Sequence, residues 1–235
     1  MGVLETWGGF GNLLGFWKLG EVLETLANLS LINPNSTIYI PMDKLDSQYW
    51  NNRYLENTTG WDLGEISPPL KDYIDQLPDK SIGILIPGCG NSYEAAYLLE
   101  NGFSNITLID ISTVLTDILQ KKLTSEHYPN LKIHTGDFFE LQDEFDLILE
   151  QTFFCALDPS LREAYAKKIK DLLNLGGKLT GVLFNRNFDG GPPFGGNEEE
   201  YKALFGKYFK INILEPCNNS IFPRSGVELF FEFEK

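Results

Sequence analysis

Positive charge is scarce in this chain: 19 Lys and Arg stand against 33 Asp and Glu, a formal net charge of −14. Nucleic-acid binding rests on neutralising phosphates with cationic side chains, and no Lys/Arg cluster offsets the deficit locally, so a polynucleotide partner is excluded. Metal-ligating and redox residues are rarer still. The two histidines, His127 and His134, do not furnish a zinc site. The three cysteines, Cys89, Cys155 and Cys217, are odd in number, far apart and free of any CxxC pair, which excludes a complete disulfide framework and a redox motif. That usage points to a reducing, cytoplasmic setting. No window approaches the roughly 18 consecutive apolar residues of a membrane span. What remains is a protein whose expected partner is a small molecule, with a monomer favoured.

The 235 residues are 43% hydrophobic and 22% charged, the balance of a folded domain of ordinary to large size. The first 41 differ in texture: they carry one Lys, no Arg and three Glu, without the basic start of a secretory signal or the Arg-rich bias of a transit peptide. Apolar residues from Leu13 to Leu29 suit a short amphipathic helix. At Met42 the text turns charged and aromatic, "MDKLDSQYWNNRYLENTTGWDLG". The expectation is an extension over 1–41 with Met42 as the native start, and one domain over 42–235.

From residue 81 apolar runs alternate with helical periodicity. "SIGILIP", "NITLID", "LKIHTGD", "EFDLILE" and "KLTGVLF" read as strands. Between them "YEAAYLLENG", with Gly102 as its C-cap, and "STVLTDILQKKL", capped by Ser112, read as helices. "PSLREAYAKKIKDLLNLGG" is read as a long helix opened by Pro159 and stopped at Gly176–Gly177. After a Gly/Pro-rich loop, "NEEEYKALFGKYF" is helical, and "KINILEP" and "GVELFFEFE" make a closing antiparallel hairpin. Alternation of this kind predicts a doubly wound α/β domain with a seven-stranded, mostly parallel sheet and an antiparallel C-terminal edge hairpin.

Directly behind the first strand stands "PGCGNSY". Ligands of such sheets bind at the carboxyl ends of strands, so Gly88 and Gly90 mark the expected place. A P-loop would need GxxxxGK[ST], and no lysine follows here. A dinucleotide fingerprint would need a third glycine where Tyr93 stands, and a pyrophosphate would meet Glu94. A nicotinamide-dependent oxidoreductase is thereby disfavoured. S-adenosylmethionine has no phosphate; it needs backbone approach for its amino-acid part and acceptors for its ribose. Asp110, closing the second strand 20 residues after Gly90, suits the ribose hydroxyls, with Ile111 beside it. Asp137, in "GDFF", suits an adenine amino group, with Phe138 or Phe139 on the ring. Each aspartate also reads as an ordinary turn or cap residue, and each Phe as core.

"ILIPGCGNSYEAAYL", "LIDIS" and "GDFF", and above all "GWDLGEISPPL", "EQTFFCALDP" and "DGGPPF", resemble the thiopurine S-methyltransferase family, which includes halide and thiol methyltransferases. The resemblance runs from about Tyr49 to the C-terminus. It implies a class I methyltransferase sheet, S-adenosylmethionine as cofactor, and a lid over residues 42–80 whose Trp50, Tyr54 and Trp61 cover the cofactor. Aromatic faces attract a sulfonium cation by roughly 0.5–2 kcal/mol, which gives that lid a physical reason. It also implies transfer of a methyl group to a soft nucleophile by in-line displacement, in which the protein aligns and desolvates. Where thiopurine enzymes carry an arginine after the fourth strand, this chain has Gln151, and "TFFCALDP" is closer to the halide/thiol branch. Iodide, bisulfide, thiocyanate or a small thiol is therefore the expected acceptor. An aromatic thiol of thiopurine type and a binding protein without turnover are the alternatives. Gln151, Phe153, Phe154, Phe194 and Arg224 are the pocket candidates, Arg224 either holding an anion or forming a surface ion pair. Glu150 either meets the cofactor or caps the following turn. The loop "FNRNFDGGPPFGGNEEEY" is expected to be mobile, with no role for Asp189.

Overall fold

The computed structural model describes residues 44–235, so the extension expected over 1–41, its helix and the Met42 start lie outside the described residues. Two helices that the strand–helix alternation does not announce come first, α1 (Ser47–Leu55) and α2 (Pro68–Asp75). Their start signals are local. Asp46 Oδ1 accepts from the Gln48 and Tyr49 amides at 3.1 and 3.2 Å, capping α1. Pro68 opens α2, where the missing N–H costs nothing.

The sheet has seven strands: β1 (Ile84–Pro87), β2 (Ile106–Asp110), β3 (Lys132–Thr135), β4 (Phe145–Gln151), β5 (Leu173–Phe184), β6 (Lys210–Pro216) and β7 (Glu228–Glu234). Between them lie α3 (Tyr93–Glu100), α4 (Thr113–Lys122), α5 (Arg162–Leu172) and α6 (Glu198–Phe205). The spatial order is β3-β2-β1-β4-β5-β7-β6, parallel through β5 and antiparallel at β5–β7 and β7–β6. The doubly wound sheet and its C-terminal hairpin stand as the alternation requires. The chain runs outward from β1 to β3, then returns to lay β4 on the other side of β1. The strand order thus reverses between β1 and β4, where a crevice opens.

Each face buries its own core. Leu70, Ile74, Leu98, Phe103, Leu115 and Leu119 pack with β1 and β2 on one side; Phe154, Tyr165, Ile169, Phe205, Phe231 and Phe233 pack with β4, β5 and β7 on the other. Full burial of side chains this size contributes about 1.5–3 kcal/mol each.

Ser112 and Gly102 act as read: the Ser112 hydroxyl accepts from the Leu115 amide at 3.2 Å, and Gly102 follows α3 with φ +87°. The long helix does not reach Gly177. It ends at Leu172, and Leu173 already pairs with Phe145 in the sheet. Residues 174–177 bulge out before pairing resumes at Leu147–Lys178, with Gly176 at φ +78° and Asn174 Nδ2 donating to Asp146 Oδ1 at 2.8 Å. The two glycines serve a strand irregularity rather than a helix stop.

Candidate active site

The turn after β1 is built from left-handed residues: Gly88 at φ +54°, Gly90 at +51° and Ser92 at +54°. Gly88 is required twice over, since a β-carbon there would stand 2.1 Å from Phe153 Cδ2. Gly90 keeps its outer side open, with the Tyr54 hydroxyl 3.9 Å from where a side chain would begin. Ser92 is buried, and its Oγ has no hydrogen-bond partner among the described residues. Glu94, in the first turn of α3, is buried and accepts from the Ser67 amide at 3.4 Å; burial holds its carboxyl above the usual range. A buried carboxyl at the helix start is unsuited to pyrophosphate, which agrees with the sequence-level argument against a dinucleotide.

Asp110 closes β2 across the crevice from this turn. Its Oδ1 accepts from the Ser112 amide at 2.8 Å and its Oδ2 from the Gly90 amide at 3.4 Å, so one carboxylate joins both loops. Burial pushes it up to about 6 against those amide bonds. Ile111 follows, half-buried. Asp137 is exposed and caps a 3-10 turn through the Phe139 amide at 2.9 Å. Of the two phenylalanines beyond it, Phe138 belongs to the core, with ring centroids 5.2 Å from Phe153 and 5.7 Å from Tyr165; Phe139 keeps partial exposure.

The aromatic residues before α2 form one cluster beside the glycine turn. Trp61 meets Trp50 and Tyr54 edge-on at 5.5 and 5.8 Å, and the Arg53 guanidinium lies 5.4 Å from the Trp61 ring. Burial, with Asp110 and Cys89 nearby, pushes the Tyr54 phenol up. Two polar ties hold the segment in place. Asn51 Oδ1 accepts from the Ser112 hydroxyl at 2.7 Å and the Val114 amide at 3.2 Å, docking α1 on the start of α4. Asp62 accepts from Asn91 and from Tyr93, fastening "GWDLG" to the glycine turn.

Arg224 forms no surface pair. It is buried, donates to the Trp61 carbonyl at 2.8 Å and to Glu228 Oε1 at 3.4 Å, and lies 5.5 Å from the Phe184 ring. Its charge is matched from inside the protein. Phe194 is also buried: its amide donates to the Cys155 carbonyl at 2.6 Å, and a β-carbon on Gly191 would strike its ring at 2.4 Å. Arg162, which pairs with Glu200, donates to the Gly195 carbonyl at 2.6 Å. The Gly/Pro-rich loop is thus fastened at its far end.

At the end of β4, Glu150 is 1% exposed and fully engaged. Its Oε1 accepts from the Phe153 and Phe154 amides at 2.8 and 2.9 Å, and its Oε2 from the Tyr165 hydroxyl at 2.6 Å. It caps the turn, and burial pushes it up to about 7. The turn it holds contains Thr152 at φ +60°, a β-branched residue in a region that costs of order 1–3 kcal/mol. Gln151 Oε1, beside it, is buried without a partner among the described residues. On one side of Thr152, Phe153 packs on Gly88. On the other lies a small cavity of about 10 Å³, lined by Glu150, Thr152, Phe154, Cys155, Val182, Leu183, Phe184, Tyr201 and Glu228. Phe154 touches it from within the core, its ring centroid 5.2 Å from Tyr165 and 5.5 Å from Phe205.

Of the residues expected from sequence, Gly88, Gly90, Asp110, Tyr54 and Phe153 converge on the β1 end of the crevice, and Glu150 and Phe154 on the cavity. Phe138, Phe194 and Arg224 stand behind these. Asn51, Asp62, Thr152 and Glu228 were not legible as site residues. Asp62 alone left a trace, as the acid inside "GWDLG".

The crevice suits S-adenosylmethionine: an open glycine turn without phosphate-binding features, an acceptor carboxylate at the end of β2, and unpartnered Ser92 Oγ and Gln151 Oε1. The family model described as thiopurine S-methyltransferase matches residues 45–228. The chain is 29% identical to "Probable thiol methyltransferase 2" of Arabidopsis thaliana, over 83% of this chain and 88% of the relative. It is 27% identical to a thiopurine S-methyltransferase of Acinetobacter baylyi, over 73% and 88%. Among solved structures, a Burkholderia thailandensis 1,6-didemethyltoxoflavin-N1-methyltransferase with bound S-adenosylhomocysteine shares the fold, at a TM-score of 0.66 and 17% identity over 87% of this chain and 97% of that one. This chain belongs to the thiopurine S-methyltransferase family and is an S-adenosylmethionine-dependent methyltransferase.

Proposed function

We propose that the enzyme methylates a small soft nucleophile, namely a thiol, bisulfide, halide or thiocyanate. The observation that carries this reading is the cavity beyond Thr152. It is small, with about 10 Å³ open to the centre of a water-sized body. Phe154 and Tyr201 on its rim are buried and pack edge-on at 5.9 Å, so a fused bicyclic thiol would have to displace core side chains there. Gln151 in place of an arginine points the same way. The name of the Arabidopsis relative agrees with it, and that of the Acinetobacter relative favours the aromatic alternative.

Bound S-adenosylmethionine supplies an electrophilic methyl on a sulfonium. The chain's own residues do the rest. Asp110 would hold the ribose hydroxyls, the Gly88–Gly90 turn would admit the amino-acid part, and Trp50, Tyr54 and Trp61 would cover the cation and exclude water. Asp137 and Phe139 would meet the adenine. Arg224 supports the lid by holding the Trp61 carbonyl.

Head-space gas chromatography of the protein with S-adenosylmethionine and, separately, iodide, thiocyanate, bisulfide and an aromatic thiol tests the reading. Methyl iodide, methyl thiocyanate or methanethiol is the expected product. Turnover of the aromatic thiol alone overturns the small-acceptor reading.

A further inference from the structure

We propose that Glu228 is the general base of this enzyme and takes the proton of a neutral thiol seated in the cavity beyond Thr152. The inference rests on the small-acceptor reading and narrows it to thiols. The cavity wall carries two carboxylic groups, Glu150 and Glu228, and the nearby cation, Arg224, is already matched by Glu228 and the Trp61 carbonyl. An anion entering such a site meets the charge Glu150 carries near neutrality, with no unmatched cation among the described residues to offset it, in a poorly screened interior. A neutral thiol does not.

The two carboxylic groups differ in what they are free to do. Glu150 accepts three hydrogen bonds of 2.6–2.9 Å and its role is consumed in holding the turn. Glu228, at the first position of β7, receives the long 3.4 Å contact from Arg224 Nη1 at Oε1, with the Ser220 hydroxyl as its other polar neighbour. It is 5% exposed and lines the cavity directly. The groups facing it are Arg224 from its own turn, Cys155 from the segment after β4, Glu150 from β4 and Tyr201 from α6. Burial raises its proton affinity, and the Ser220 hydroxyl and Arg224 oppose the rise.

The step balances within the cavity. The thiol S–H bond breaks, its electron pair stays on sulfur as thiolate, and the proton bonds to a Glu228 carboxylate oxygen. One of the two negative charges is thereby removed as the thiolate forms. The proton returns to solvent after the methylated thioether leaves.

Calorimetry of ethanethiol binding to the wild-type protein at pH 7, in buffers of different ionisation enthalpy, is the first test. Retention of the proton on Glu228 gives no net proton release; release of about one proton per site means that preformed thiolate is selected and overturns the proposal. The second compares kcat/KM for ethanethiol with that for 2,2,2-trifluoroethanethiol, a neutral thiol of the same chain length that is more acidic and needs the base less. Glu228→Gln lowers the ethanethiol-to-trifluoroethanethiol ratio by at least about tenfold, and Glu228→Asp restores part of it. An unchanged ratio overturns the proposal, because a merely structural loss moves both acceptors together. Should Glu228→Gln not fold, the wild-type profile decides. With a base, ethanethiol kcat/KM is level from the ionisation of Glu228 up to that of the thiol itself, which as a plain alkanethiol lies above the cysteine value of about 8.5. A tenfold climb per pH unit throughout that range overturns it. Wild-type protein that methylates no thiol overturns the acceptor reading itself, and the base with it.

Discussion

Asp110→Asn tests the carboxylate as the partner of the ribose. The carboxylate joins the ends of β1 and β2 by accepting from the Gly90 and Ser112 amides, and asparagine keeps its outline while removing its charge and setting an NH2 donor against one of those amides. Hydrogen bonds to a charged group contribute about 1.5–3 kcal/mol, so S-adenosylmethionine binding should weaken by about 10- to 150-fold. Isothermal calorimetry measures this directly. The pH dependence gives a second, sharper check. The free wild-type carboxyl titrates near 6, so binding to the ionised form should be about tenfold weaker at pH 5 than at pH 7. The α-amino and α-carboxyl groups of the ligand do not titrate in that interval. The variant should show no such slope. An unchanged affinity in Asp110→Asn, or a flat wild-type affinity between pH 7 and 5, would falsify the ribose assignment and leave Asp110 a loop tie.

The same shift makes a stability statement of opposite sign. Glu150, near 7, behaves like Asp110, near 6: both are raised by burial, so the folded chain binds protons where the unfolded chain does not. Stability of the ligand-free protein therefore falls as pH rises from about 4 to about 7, and the loss persists above. Differential scanning fluorimetry should show the melting temperature rising as pH is lowered from 8 to about 5.5; a fall over that interval refutes the assignment. Gly181→Ala places a β-carbon 2.0 Å from the Glu150 carbonyl oxygen, backbone that cannot step aside. It should cost about 1–3 kcal/mol, roughly 2–4 °C of melting temperature per kcal/mol, and an unshifted melt would show that β4 and β5 part more easily than their pairing implies. Trp61→Ala should loosen S-adenosylmethionine by about 0.5–2 kcal/mol, read by calorimetry, and equal affinity would remove the aromatic lid from the account.

The architecture was legible because local signals agree with the global fold: apolar runs, helical periods, Ser112 as a cap and Gly102 after a helix each point to one alternating sheet. Where the reading slipped, two structures shared one signal. Gly176–Gly177 looks the same whether it stops a helix or makes a bulge, and only the pairing of Leu173 with Phe145 decides. That Gly88, Gly90 and Asp110 come together was legible for a related reason. Gly88, Gly90 and Asp110 lie within two loops at fixed offsets from strands, so spacing carries their geometry. The cavity beyond Thr152 is assembled differently. Glu228 begins the last strand, Thr152 follows the fourth, and Tyr201 comes from the last helix, so no window of sequence holds the cavity. Even there the sequence had marked the right residue for a different purpose. Arg224 reads as a lone cation, and its meaning appears only with Glu228 four residues on and the Trp61 carbonyl 163 residues before it. A charge whose partner is a backbone carbonyl leaves no pattern to read. What such a buried ion pair holds in place is read only from which groups its atoms meet, a question that only coordinates can answer.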